Sequence, residues 1–242
     1  MEKLRVATHN VCHMGFNPLN GSELLPDLTH RFGYEADKVE MMKKNWDAVY
    51  SAFSADIIAF QEYCPWFDFA HTIPTREALF ERFGYLVDEG EWVSNMRLTI
   101  ASKMPLEKGY ERSFMPASER RRRKAYVTVG DKRIAIFNCH PTPGNNQEVR
   151  QREYALLLEN FKDEEYFIAC GDYNARTMDE FEIFKKAGYS MANTGIGTVR
   201  KTGLTCDNII VSQNIRIEKT ELFDKEFSLS DHAILYAEVL IL

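Results

Sequence analysis

Apolar and polar positions along the chain fall into two recurring patterns, alternation and steps of three or four. Leu4 and Val6 alternate with Arg5, which predicts a first strand over Leu4 to Val11. Residues 13–36 hold Gly, Pro and Asn without periodicity and read as a long loop. From Glu35 the pattern turns helical: Val39, Met42, Trp46, Val49, Tyr50 and Phe53 form one apolar face. Asp56 to Phe60 reads as a buried strand ending in Gln61-Glu62, and Pro74 to Phe83 as a helix stopped by Gly84. Leu98 to Ser102 is a further strand. Ala125 to Val129 and Arg133 to Cys139 flank Gly130-Asp131, a hairpin signal, and the second of these strands ends at His140-Pro141. Asn145 is placed to cap a helix over Asn146 to Phe161, with Glu148 three residues on.

The stretch F-I-A-C-G-D-Y-N-A-R, residues 167–176, has a particular form. Phe167 to Cys170 is an apolar run that predicts a buried strand, broken by Gly171. Asp172 and Asn174 follow two residues apart, a spacing that points both side chains the same way on extended chain. An Asx turn accounts for the same pair without any function. Thr177 to Glu180 reads as a capping box for a helix that buries Phe181 and Phe184 and ends at Gly188. A Gly- and Thr-rich loop covers 193–205. Cys206 to Val211 is a strand carrying Asp207, and Ile215, Ile217 and Lys219 alternate into another. Ser230-Asp231-His232 precedes the last strand, Ala233 to Leu242. No internal repeat or linker interrupts the series, so the reading is one α/β domain over residues 1–242.

Composition changes this picture in three respects. The net charge of −6 argues against a protein that coats nucleic acid, although Arg120 to Lys124 is a dense basic run. Such a run is ordinarily a solvated face. The five cysteines, Cys12, Cys64, Cys139, Cys170 and Cys206, are odd in number and form no C-x-x-C, so they suggest neither a disulfide framework nor a thiolate zinc site. Each stands within two residues of a polar residue singled out below, which fits strand ends packed beneath a polar site. No apolar run approaches the roughly 20 residues of a membrane helix, and the N-terminus lacks a signal-peptide core. The chain is therefore read as cytoplasmic, without a membrane segment, and as a monomer.

Most of the polar residues at the predicted strand ends form a set: Asn10, Glu62, His140, Asp172, Asn174, Asp207, Asp231 and His232. Four carboxylates and two carboxamides are the oxygen-rich kind of group that hard divalent cations prefer, Mg²⁺ with Mn²⁺ as substitute. Histidines beside acids suit phosphate contact and proton transfer. Taken singly, each residue has an ordinary account, as a turn former, a solvated strand end or a hydrogen-bonded core histidine.

Together and in this order, the residues resemble the endonuclease/exonuclease/phosphatase superfamily, with the deoxyribonuclease-I-like fold. The matching motifs are T-H-N-V around Asn10, D-I-I-A-F-Q-E ending at Glu62, I-A-S-K-M-P-L at 100–106 and N-C-H-P around His140. G-D-Y-N at 171–174, C-D-N-I-I around Asp207 and S-D-H at 230–232 complete them. The resemblance implies a four-layer α/β/β/α sandwich, two mixed sheets face to face with helices outside and the active site at one rim. It implies Glu62 as a direct metal ligand, with Asn10 and Asp231 at or next to the metal. It implies Asp172 orienting or deprotonating the attacking water, and Asn174 and His140 holding the scissile phosphate. Asp207 and His232 would form a dyad, with His232 on the phosphoryl group. The chain differs from the inositol-phosphate 5-phosphatase branch at Asn208, where that branch has arginine.

The expected activity is Mg²⁺-dependent hydrolysis of a phosphoester, with a small molecule or a nucleic acid as substrate. The alternative is a non-catalytic relative that binds phosphorylated ligands. Without metal, the Asp172 carboxylate, crowded by Glu62 and Asp231, is expected to be strained.

Overall fold

The structure is a computed structural model and describes residues 1–11, 16–17, 22–23, 36–63, 76–88, 97–114, 121–226 and 229–242. In chain order these form β1 (Glu2–Asn10), β2 (Phe16–Asn17), β3 (Ser22–Glu23), α1 (Ala36–Ala52), β4 (Ile57–Tyr63), α2 (Arg76–Phe83) and β5 (Tyr85–Val87). There follow β6 (Arg97–Ser102), β7 (Glu107–Ser113), β8 (Arg121–Val129), β9 (Lys132–His140), α3 (Gln147–Lys162) and β10 (Phe167–Asp172). A 3-10 turn, Met178–Phe181, runs into α4 (Glu182–Lys186), and β11 (Ser190–Met191), β12 (Asp207–Val211), β13 (Ile215–Phe223) and β14 (Ile234–Ile241) complete the chain.

The strands build two six-stranded mixed sheets, ordered β13-β14-β1-β4-β6-β5 and β11-β12-β10-β9-β8-β7. Strand alternation assigns each residue to a layer. Leu4 and Val6 of β1, Ile57 and Ala59 of β4, Ile134 and Ile136 of β9, Ile168 and Cys170 of β10, and Ile209 and Val211 of β12 share one core between the sheets. The opposite parity of the first sheet, Ala7, Ile58 and Phe60, packs against Trp46, Tyr50 and Phe53 at α1 and against Leu79 and Phe83 of α2. The opposite parity of the second sheet, Ala135, Phe137 and Ala169, packs against Tyr154, Leu157 and Phe161 of α3 and against Phe184 of α4. The architecture is thus the four-layer α/β/β/α sandwich. Among the described residues no helix is long and apolar enough to cross a membrane.

Several local expectations are corrected. Gly171 does not break its strand: β10 runs through it to Asp172. A glycine is needed because a Cβ there would lie 2.2 Å from the Cys139 carbonyl oxygen on neighbouring β9. Helix α3 is preceded by Asn146 rather than Asn145, and no cap is made by its side chain. Thr177 has the extended backbone of a cap residue but no capping hydrogen bond from its side chain. Its partner Glu180 is bound instead by buried Arg150, at 2.8 and 3.1 Å. The segment after Thr177 is accordingly a 3-10 turn with a short α-helix. The 13–36 loop, apart from its two short strands and Ala36, lies outside the described residues, as do Cys12, Cys64 and Arg120.

The rest of the basic run is neither a solvated face nor an open grip. It lies on β8, where Arg121 and Arg123 both bind Glu111, Lys124 binds Glu164, and Arg122 donates to the Ser113 carbonyl. A dense cationic run reads as exposed only when its partners, here on β7 and after α3, are invisible.

Candidate active site

The inward-facing columns of the two sheets are apolar along most of their length and turn polar at one end. On β1 the column reads Leu4, Val6, Thr8, Asn10; on β9 Ile134, Ile136, Asn138, His140; on β10 Ile168, Cys170, Asp172. On antiparallel β12 it reads Val211, Ile209, Asp207. Period-two alternation therefore delivers Asn10, His140, Asp172 and Asp207 to one rim. The same parity sends His9 the other way. It is buried against α1, with Nδ1 2.9 Å from the Tyr50 hydroxyl, and burial pushes its imidazole down to about 3, so it stays neutral.

Glu62 reaches the rim by a different device. On β4, Phe60 pairs with Thr99 but Tyr63 pairs with Arg97, so Gln61 and Glu62 together face one residue of β6. This is a β-bulge, and Glu62 has φ +57°. Strict alternation would turn Glu62 towards the helices and Tyr63 inwards. With the bulge, Tyr63 joins the helix-side core and Glu62 Oε1 lies 3.7 Å from His140 Nε2. A left-handed backbone costs a non-glycine residue about 1–2 kcal/mol, so the surrounding structure holds it in place.

Asp172 is the hub. Oδ2 accepts from Asn10 Nδ2 at 2.9 Å and lies 3.5 Å from His140 Nε2 and 3.9 Å from His232 Nε2. Oδ1 accepts from the Asn174 backbone N–H at 2.8 Å, an Asx turn. Asn174 itself has φ +54°, so the extended-chain premise for its direction is corrected. The turn and the shared site are one feature. Asn174 also donates from Nδ2 to the Pro141 carbonyl at 2.9 Å, tying this loop to the one after His140. Burial would raise the Asp172 carboxyl, but the charge of His232, His140's hydrogen bond and charge, and the Asn10 amide outweigh it and hold the group well below the usual carboxylate range. Donors on both oxygens and two imidazoles within 4 Å oppose the expected strain.

Asp207 and His232 meet as anticipated, with His232 Nδ1 2.8 Å from Asp207 Oδ2. Burial pushes the imidazole down, but Asp207 and Asp172 outweigh it and raise it to about 10, so His232 is a cation at neutral pH. Ser230 Oγ donates to the Asn10 carbonyl at 2.6 Å and accepts from the His232 N–H at 3.2 Å, which anchors S-D-H to the end of β1. Half-buried Asp231 lies 3.4 Å from Ser230 Oγ through Oδ1, and its carbonyl accepts from the Arg200 N–H.

Several residues here were not singled out from the sequence. Thr198 Oγ1 accepts from the Asp207 N–H at 3.2 Å, and its carbonyl accepts from the Ala233 N–H at 2.9 Å, so it braces both halves of the dyad. Nothing in its Gly- and Thr-rich loop marks it. Arg150, fully buried, clamps Glu180 and the carbonyls of Thr142 and Gly144, while Tyr154 donates to the Tyr173 carbonyl at 2.6 Å. Helix α3 thereby fixes the loops after His140 and Asp172. Asn208 holds Asn193 by two main-chain hydrogen bonds of 2.9 and 3.0 Å, which gives the carboxamide at this position a loop-anchoring role.

The rim is rich in carboxylate oxygens, the donors that hard divalent cations prefer. Carboxylate oxygens of Glu62 and Asp172 lie 3.7 and 3.5 Å from His140 Nε2, and buried Asp207 Oδ1 has no hydrogen-bond partner among the described residues. Asp172, Asp207 and His232 also offer ligand atoms within 4.8 Å of one another. His232 Nδ1 is engaged by Asp207, so this trio reads first as a hydrogen-bonded dyad beside a carboxylate.

No protein-family model matches the sequence, and no curated protein matches it. Solved structures do match. An endonuclease/exonuclease/phosphatase from Beutenbergia cavernae superposes with TM-score 0.72 at 13% identity, over 100% of this chain and 72% of that one. TDP2 of D. rerio, complexed with a single-strand DNA product, gives 0.68 at 14% identity over 99% and 100%. ANGEL2, a 2′,3′-cyclic phosphatase in complex with adenosine-2′,3′-vanadate, gives 0.69 at 13% identity over 98% and 95%. Two mixed six-stranded sheets between helices, matched over the whole chain, give this protein the deoxyribonuclease-I-like fold of the endonuclease/exonuclease/phosphatase proteins.

Proposed function

We propose that this chain is a Mg²⁺-dependent phosphoesterase that hydrolyses its substrate by in-line attack of water. The observation that carries the reading is the convergence on Asp172 of Asn10, His140 and His232, contributed by both sheets. A 2′,3′-cyclic phosphatase and a protein complexed with a single-strand DNA product among the structural matches support the class of chemistry.

In this reading Glu62, Asn10 and Asp231 hold the cation, and Mg²⁺ bound there supplies Lewis-acid stabilisation of phosphoryl charge. Asp172 aligns the attacking water. The same carboxylate can take up the water's proton as the bond to phosphorus forms. His140 and the uncommitted amide hydrogen of Asn174 hold non-bridging oxygens of the phosphate. Cationic His232, kept charged by Asp207, neutralises charge that builds on the phosphoryl group in the transition state. A short phosphoester is favoured over a long polynucleotide, because the chain carries net charge −6 and Arg121 to Lys124 are held by internal partners.

The test is a side-by-side assay of purified protein on DNA, RNA, bis-p-nitrophenyl phosphate and phosphorylated small molecules, with Mg²⁺ and with EDTA. Turnover of at least one phosphoester only with metal is expected. Binding of these ligands without turnover of any would favour the non-catalytic alternative.

A further inference from the structure

The geometry points to Asn138 as a positioning residue that keeps the β4 bulge in register and so aims Glu62 into the site. Asn138 stands two residues before His140 on the inward column of β9 and is fully buried between the sheets. Its Nδ2 donates to two main-chain carbonyls of the opposite sheet, Phe60 at 2.8 Å and Thr99 at 3.0 Å. Those residues are the last pair in register before the bulge. Its Oδ1 accepts from Gln61 Nε2 at 2.8 Å, and Gln61, the first bulge residue, is held in turn by Thr8 Oγ1 at 3.0 Å.

All three of these amide contacts land on the β4–β6 pair at the point where the extra residue enters. A buried amide with both N–H groups and its oxygen engaged is a strong directional constraint in a low-dielectric core. The bulge needs one, because sliding β4 by a single residue would restore regular pairing and turn Glu62 to the helix side. Glu62 at φ +57° has no inherent preference for the conformation it adopts. A second link, from the Val11 N–H to the Gln61 carbonyl at 3.1 Å, ties the same point to the end of the strand that carries Asn10.

This inference rests on the phosphoesterase reading in one respect, that Glu62 is a cation ligand. The probe is therefore Mn²⁺ alone, titrated calorimetrically into folded protein. Removing groups that orient a metal ligand commonly costs about 10–100-fold in metal affinity. Asn138→Ala is expected to melt cooperatively at a lower temperature and to bind Mn²⁺ about 10-fold more weakly. Glu62→Gln is expected to weaken binding at least as much, and the double variant no further than Glu62→Gln, because the two act through one ligand. Ile136→Ala, a truncation in the same column two residues away, is expected to lower the melting temperature and leave Mn²⁺ affinity unchanged. If Asn138→Ala fails to fold, Gln61→Met takes its place, with the same expected coupling to Glu62.

Parent-like Mn²⁺ affinity in the folded Asn138 or Gln61 variant, or losses that simply add to those of Glu62→Gln, would overturn the positioning role and leave the site assignment standing. Parent-like affinity in Glu62→Gln would overturn the ligand assignment and the positioning role with it.

Discussion

Asn10 Nδ2 donates to Asp172 Oδ2 at 2.9 Å, joining central strands of the two sheets across 162 residues of sequence. The other Asp172 oxygen accepts from the Asn174 N–H at 2.8 Å, so both carboxylate oxygens receive buried or half-buried donors. A carboxamide has one acceptor oxygen and would turn its NH₂ towards one of those donors. Asp172→Asn should therefore destabilise the metal-free protein by about 1–3 kcal/mol. At roughly 2–4 °C per kcal/mol for a chain of this size, the melting temperature falls by several degrees. An unchanged or higher melting temperature would mean that the carboxylate is strained after all.

The Asp207–His232 pair, 2.8 Å apart, should act as a unit. His232→Gln removes the cation and Asp207→Asn removes what sustains it, so each should lower kcat by about 10²-fold or more. The double variant should be little worse than the more damaged single, since groups in one relay are not additive. Independent, multiplying losses in steady-state kinetics would separate the two residues mechanistically.

Far from the rim, Arg5 grips Asp56 through Nη2 at 2.6 Å, Nε at 3.0 Å and its main-chain N–H at 3.0 Å. Burial would raise the Asp56 carboxyl, but the Arg5 hydrogen bonds and charge outweigh it and lower it from 3.8. A depressed folded-state value means that the charged form stabilises folding above about pH 3.8 and that this contribution is lost as pH falls through the lower folded value. Asp56→Asn should cost about 1–2 kcal/mol at pH 7, a figure that allows for the half-exposed Arg5. Urea midpoints across pH 2 to 7 should show the gap to the parent closing below about pH 3.8. A gap independent of pH would assign the contact to shape rather than charge.

Gly171→Ala tests why a glycine precedes Asp172. The added Cβ would overlap the Cys139 carbonyl oxygen, a backbone atom in the middle of a sheet, and one of the two strands must move. A loss of about 3 kcal/mol is expected from equilibrium unfolding, together with reduced turnover because the strands carrying His140 and Asp172 separate. A variant as stable as the parent would show that this pairing is loose.

Much of the rim was readable along the chain because it follows parity. Asn10, His140, Asp172 and Asp207 each extend an apolar inward column, and period-two alternation is visible in sequence. The same rule, applied without knowledge of pairing, misplaces Glu62, since a one-residue bulge appears only against β6. It also misreads Gly171, whose reason lies on a neighbouring strand. Asn138 and Gln61 stood inside the quoted motifs, one two residues before His140 and the other beside Glu62. Inward parity would have found Asn138 as a polar residue in a core column. Arg150 and Glu180 are 30 residues apart on separate elements, and no local pattern links them. The basic run reads as solvated for a related reason: Glu111 and Glu164, which hold its residues, are remote in sequence.

The most direct test of the site is paired kinetics on the substrate that the parent turns over fastest, with Asp172→Asn beside it, in Mg²⁺ and after rigorous chelation. Parent turnover should disappear in EDTA and return with Mg²⁺. In Mg²⁺, Asp172→Asn should fall by at least about 10²-fold in kcat, with KM changed much less because His140, Asn174 and the cation still hold the phosphate. Parent turnover that survives chelation, or near-parent kcat in Asp172→Asn, would remove the metal or Asp172 from the reaction.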